Sequence, residues 1–100
     1  MKLLQIDFKM QGPWGDEMST SFADLAKDIA NEERLIWKIW TENEKQGEAG
    51  GIYLFEDEES LDRYLDKHTK RLNSFGITEI TAKKFDVNET LSLIDRGPIK

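Results

Sequence analysis

One hundred residues with a formal net charge of −6 make one domain-sized chain, and its acidity argues against nucleic acid or an anionic membrane surface as a partner, because phosphate binding draws on clustered Lys and Arg. The absence of cysteine excludes disulfides, thiolate catalysis and zinc–sulfur sites, and it favours a reducing, cytoplasmic compartment. The 38% hydrophobic content suffices for one small core, and no run approaches the ~18 apolar residues of a membrane span.

Lys2–Gln11 alternates: Leu4, Ile6, Phe8 and Met10 share one face, Gln5, Asp7, Lys9 and Gln11 the other. This predicts a half-buried strand and not a signal peptide. Gly12-Pro13-Trp14-Gly15 ends it, and Trp14 in that turn is either a cap on the core or part of a ligand mouth. Asp16–Asn31 is expected as one helix, with Met18, Phe22, Leu25, Ala26 and Ile29 in an apolar stripe and Asp16 and Glu17 at the positive end of its dipole.

Leu35–Phe55 reads as a β-hairpin around which the chain is organised. Its first arm, Leu35–Glu42, is dense in strand formers, its second is Gly51–Phe55, and Asn43–Gly50 between them is polar and glycine-bearing. Trp37 and Trp40, three residues apart, fall on opposite faces. Neither face can therefore be left to water alone: one needs helices, the other a partner sheet, a ligand or both. The acidic run from Glu56 to Glu59 opens a second helix with Asp57 as cap; it lacks the spacing of a calcium loop. Leu61, Tyr64, Leu65, His68 and Leu72 form its stripe, and Gly76 lies where a C-terminal glycine belongs. Ile77–Val87 is the last strand, Asn88–Asp95 a short helix, and Arg96–Lys100 a tail.

The order strand, helix, strand, strand, helix, strand predicts a ferredoxin-like α+β sandwich, one domain spanning residues 1–100 with a four-stranded antiparallel sheet and both helices on one face. Leu4, Ile6, Phe8, Phe22, Leu25, Ile29, Leu61 and Leu65 are the expected core. Bulky groups on the second face predict a homodimer through the sheets, enclosing an apolar cavity.

The segments QGPWGDEM, WKIWTENEKQGEAGGIYLF, YLDKHTKRL and AKKFDVNE resemble the YdhR-type monooxygenase family, collinearly and over nearly the whole chain. The resemblance implies a dimeric α+β barrel and kinship with antibiotic-biosynthesis monooxygenases and with small cofactor-free enzymes that oxidise polycyclic aromatic phenols. It marks Trp14, Trp37, Trp40, Glu42, Tyr53 and His68 as pocket positions.

A cofactor-free oxygenase must hold a flat aromatic body, exclude water, assist deprotonation and stabilise an oxyanion. Trp37 or Trp40 would stack on the ring, and Tyr53 and Trp14 would donate hydrogen bonds. His68, the one side chain with an unperturbed pKa near neutrality, is the natural base; its place on an apolar stripe equally suits a buried, neutral histidine. Tyr53 and Glu42 have plain alternatives as an interface hydroxyl and a solvated loop residue. With no GxGxxG, no phosphate loop and no metal-ligand histidine spacing, no cofactor or metal is expected. Four functions stay open: a monooxygenase of a quinol, anthrone-like or other aromatic substrate, a non-catalytic dimeric binder of small molecules, a haem-binding or haem-degrading relative with His68 as axial ligand, and a purely structural module.

Overall fold

The computed structural model describes residues 1–99. In chain order the elements are β1 (Lys2–Lys9), α1 (Gly15–Ser21), α2 (Ala23–Ala30), β2 (Leu35–Asn43), β3 (Glu48–Phe55), α3 (Glu58–Ser74), β4 (Ile80–Asp86) and α4 (Glu89–Ile94). The four strands form one antiparallel sheet in the order β2-β3-β1-β4, the ferredoxin-like arrangement that the element order predicts.

Register fixes the two faces. On one, Leu4 and Ile6 of β1 and Tyr53 and Phe55 of β3 meet Ile29 of α2 and Leu61, Tyr64 and Leu72 of α3, and these eight buried residues are the core. Leu4, Ile6, Ile29 and Leu61 are buried as expected. Phe8, Leu25 and Leu65 are half-buried at its edge. Phe22 is also half-buried but packs elsewhere, stacked on Trp40. On the other face, Trp37, Leu54, Leu3 and Phe85 stand side by side across the four strands.

The local signals account for most element ends. Asp57 caps α3, its carboxylate accepting the Ser60 N–H at 2.8 Å. The helix closes in a Schellman turn: Ile77 N–H donates to the Leu72 carbonyl and Gly76 N–H to that of Asn73, with Gly76 at φ +86°. The hairpin loop is tighter than expected, because Glu48–Gly50 joins β3 and Asn43 joins β2; residues 44–47 make the turn, and Asn43 Oδ1 accepts the Gln46 N–H.

Three expectations need correction. The helix expected over Asp16–Asn31 divides at Phe22, whose backbone (φ −109°, ψ 13°) leaves the helical range. Ser19-Thr20-Ser21 before it are weak helix formers, and the hydroxyls of Ser19 and Thr20 turn back onto carbonyls four residues earlier, a contact that bends helices. β4 begins at Ile80, not Ile77, since Ile77 is used in closing α3. The tail is not free: Ile99 is buried and the Pro98 carbonyl accepts the Trp37 indole N–H at 2.8 Å, so residues 96–99 fold back onto the second sheet face. Lys100, the end of that expected tail, lies outside the described residues.

Candidate active site

An apolar cavity lies between the sheet and the helices. Its floor is Phe8 of β1, Lys38 and Trp40 of β2 and Tyr53 of β3; His68 and Leu72 of α3 form one wall, and Met18, Phe22 and Leu25 of α1–α2 close it. Its free volume is about 30 Å³, enough for one or two waters. Two larger surface clefts, about 300 and 680 Å³, adjoin it, and Phe22 lines all three spaces. The Phe22 ring lies on Trp40 with centroids 6.1 Å apart and planes 17° from parallel. Phe22, at the break between two helices, is the residue common to the three; Met10, Phe75 and Ile77 also stand between the cavity and the larger cleft, and Met18 and Trp40 between it and the smaller.

Lys38 was not among the residues marked by the sequence. It pairs with Tyr53 across the hairpin, and its ammonium sits 3.5 Å from the Trp40 ring centroid and 4.8 Å from that of Tyr53. Gly51 makes the room: a Cβ there would lie 2.7 Å from Lys38 Cε and 3.1 Å from the Tyr53 ring. Burial, with the nearby Arg71 charge, pulls the Lys38 pKa down to about 7. The signal was present, since a lysine two residues from Trp40 shares its face, but a charge within LIWKIW is more simply read as a solvated position.

His68 is 3% exposed, stacked on Tyr64 at 5.0 Å and edge-on to Tyr53 at 6.3 Å. Arg71 Nε and Nη2 lie 3.3 and 3.0 Å from its Nδ1 while Nη1 donates to Asp28 at 2.8 Å. A guanidinium can only donate, so Nδ1 is the acceptor and the ring proton sits on Nε2. Burial and the charges of Lys38 and Arg71 push the His68 pKa down to about 3. Around pH 7 the ring is therefore neutral, with its basic nitrogen already engaged. Burial raises the Tyr53 pKa to about 12, so its hydroxyl keeps its proton. Burial raises the Tyr64 pKa too, and its buried hydroxyl makes no hydrogen bond among the described residues.

Of the other marked residues, Trp40 lines the cavity and Trp37 is turned to the far face. Glu42 Oε1 accepts the Gly15 N–H at 2.8 Å, tying the end of β2 to the start of α1, and lines the 300 Å³ cleft. Trp14 packs over Gly12 and lies outside the cavity wall. The chain thus brings Trp40, Tyr53 and His68 together with Lys38 and leaves Trp14, Trp37 and Glu42 apart. A haem does not suit this place, given the engaged Nδ1, the Tyr64 ring stacked on His68 and the small free volume. Among the described residues no group of three or more His, Cys, Asp or Glu is placed to hold a metal ion.

The sequence model of the family described as "Putative mono-oxygenase ydhR" matches residues 3–98. The chain belongs to the ydhR family. A crystal structure described as a putative antibiotic biosynthesis monooxygenase from Deinococcus radiodurans shares the fold of this ydhR member at a TM-score of 0.60, with 12% identity over 88% of this chain and 93% of that one. No curated protein matches the sequence. No helix among the described residues is long and apolar enough to cross a membrane.

Proposed function

We propose that this ydhR member is a cofactor-independent monooxygenase that takes a flat aromatic phenol, of the quinol or anthrone-like kind, into the cavity between sheet and helices. The observation that carries the reading is the Phe22–Trp40 stack. A side chain held over Trp40 at a helix break is a stand-in for a ligand ring: displacing Phe22 joins the inner cavity to the clefts and leaves the Trp40 face for the substrate. The protein's share of the chemistry is to hold the ring, shed water and assist ionisation, since an electron-rich phenolate reacts with oxygen directly. For an anthrone the balance is simple. The methylene between the rings loses two hydrogens and gains one oxygen atom as the quinone carbonyl, and the second oxygen atom leaves as water. Tyr53, held protonated, and the Nε2–H of His68 are the donors at the cavity wall.

The functional unit in this reading is a homodimer through the second sheet face. Ile39 and Phe85 on that face are 51% and 45% exposed, and α4 exposes Leu91, Leu93 and Ile94 with none of its residues buried, which supports coverage by a second copy.

The test is oxygen uptake by the purified protein, without added flavin or metal, over anthrones, hydroquinones and naphthols. Uptake above autoxidation, with one quinone formed per oxygen consumed and a loss of at least tenfold in Trp40→Ala, is the expected result. No uptake, with the same compounds raising Tm, would replace the enzyme by a binding protein that uses the same cavity.

A further inference from the structure

Lys38 is the unexplained group of this cavity. The chain carries 20 acidic residues, and most of its ion pairs lie at the surface, yet no carboxylate among the described residues reaches Lys38. None of the residues lining the cavity is acidic. The groups facing Lys38 are the Trp40 ring on its own strand, Tyr53 on β3, and His68 and Arg71 on α3. Phe8 on β1 and Met18, Phe22 and Leu25 on α1–α2 add only apolar surface. Arg71 is already held by Asp28 of α2, and Glu42 by the Gly15 amide. The cavity therefore contains an amine, rings that favour a cation, and no built-in anion. Lys38 is half-buried, and a charge drawn out of water without an ion-pair partner is costly and is normally found with one.

We propose that the missing partner is the ligand, and that the cavity selects aromatic molecules carrying an ionised acidic oxygen, an acidic phenol or an arene carboxylate, whose O⁻ is set against the Lys38 ammonium. The inference rests on the cavity being the ligand site, as in the proposed function, and supplies the substrate class. An acidic phenol arrives at the same complex by either route. Its O–H bond gives the proton to the neutral amine, leaving phenolate and ammonium, or the ready-made phenolate meets the ready-made ammonium. In both cases the pair shares one proton, and the phenolate is the oxygen-reactive form. Lys38, and not His68, then takes the substrate's proton, because His68 Nδ1 already accepts from Arg71. The low pKa of Lys38 keeps a useful fraction of free amine near neutral pH, as a general base requires.

Isothermal titration of the full chain with 2-naphthoate and with 2-naphthylmethanol, from pH 6 to 9, tests this without turnover. At pH 6 the naphthoate should bind at least tenfold more tightly than the alcohol. Above about pH 7 its affinity should fall by nearly tenfold per pH unit, as Lys38 loses its proton, while that of the alcohol stays level. Lys38→Met should reduce naphthoate to the affinity of the alcohol. Lys38→Arg, which stays charged, should keep tight binding through pH 9. Equal affinities at pH 6, or naphthoate binding without pH dependence, would overturn the inference while leaving the cavity as an aromatic site. Failure of both probes to bind would overturn the inference together with the cavity reading.

Discussion

His68 and Lys38 show how environment decides what a titratable side chain can do. The His68 pKa falls from 6.5 unfolded to about 3 folded, so between those values the unfolded chain binds a proton that the native state refuses. The sign follows: stability is full above about pH 6.5 and is lost as pH falls toward 3. At pH 4.5 this one residue should account for about 3 kcal/mol of lost stability relative to pH 7. Urea unfolding at the two pH values should show a drop in the wild type that is smaller, by roughly that amount, in His68→Gln. An equal drop in both would mean that His68 takes up its proton in the folded state. The helical stripe was enough to place His68 among buried rings. Its tautomer was not legible, because that depends on Arg71, one turn along α3, meeting Asp28 from a different helix. Lys38 was missed because a lysine's sequence neighbours do not report whether a carboxylate reaches it.

Among the elements, the β2–β3 hairpin is where sequence and site meet. Strand propensity and a polar loop located it, and period-2 alternation placed the two tryptophans on opposite faces; what no spacing reveals is which face the helices cover. The break at Phe22 was hidden because the apolar stripe runs straight through it. Met18, Phe22, Leu25 and Ile29 keep helical spacing, and only the poor propensity of Ser19–Ser21 hints at the kink. Gly51 leaves the space that the Lys38 side chain fills on the hairpin's inner face. Gly51→Ala places a methyl group 2.7 Å from the flexible end of Lys38, which can swing away, and 3.1 Å from the buried Tyr53 ring, which must give slightly, so the stability cost should be about 2 kcal/mol by thermal unfolding. The same variant should lose the preference for naphthoate while still binding the neutral alcohol. If the preference survives, Lys38 does not need its seat over Trp40.

For the whole molecule, the question is what covers the second face. Its bulk was legible from Trp37 and Ile39 on alternate hairpin positions. The fold-back of the tail was not, since Pro98 and Ile99 carry no pattern of their own and are fixed by the Trp37 indole and the sheet. That tail covers the face only in part. Multi-angle light scattering should give twice the 11.6 kDa chain mass at micromolar concentration. Ile39→Glu, a half-exposed position on the edge strand β2 of the open face, should shift the population toward monomer with less than about 1 kcal/mol change in the intrinsic stability of the fold. A wild-type monomer would remove the homodimer from the proposed function.

The stacking of Phe22 and the Lys38 ammonium on Trp40 has an optical consequence. An elementary charge 3.5 Å from an indole ring imposes a large local field on its excited state, so Trp40 emission should change wavelength as that charge comes and goes. Trp14 and Trp37 have no such cation over their rings among the described contacts and serve as the steady background. The protein carries its own dye. Its fluorescence against pH should trace the Lys38 titration near 7, and its quenching on addition of an aromatic acid should follow occupancy of the cavity in real time, with no label attached.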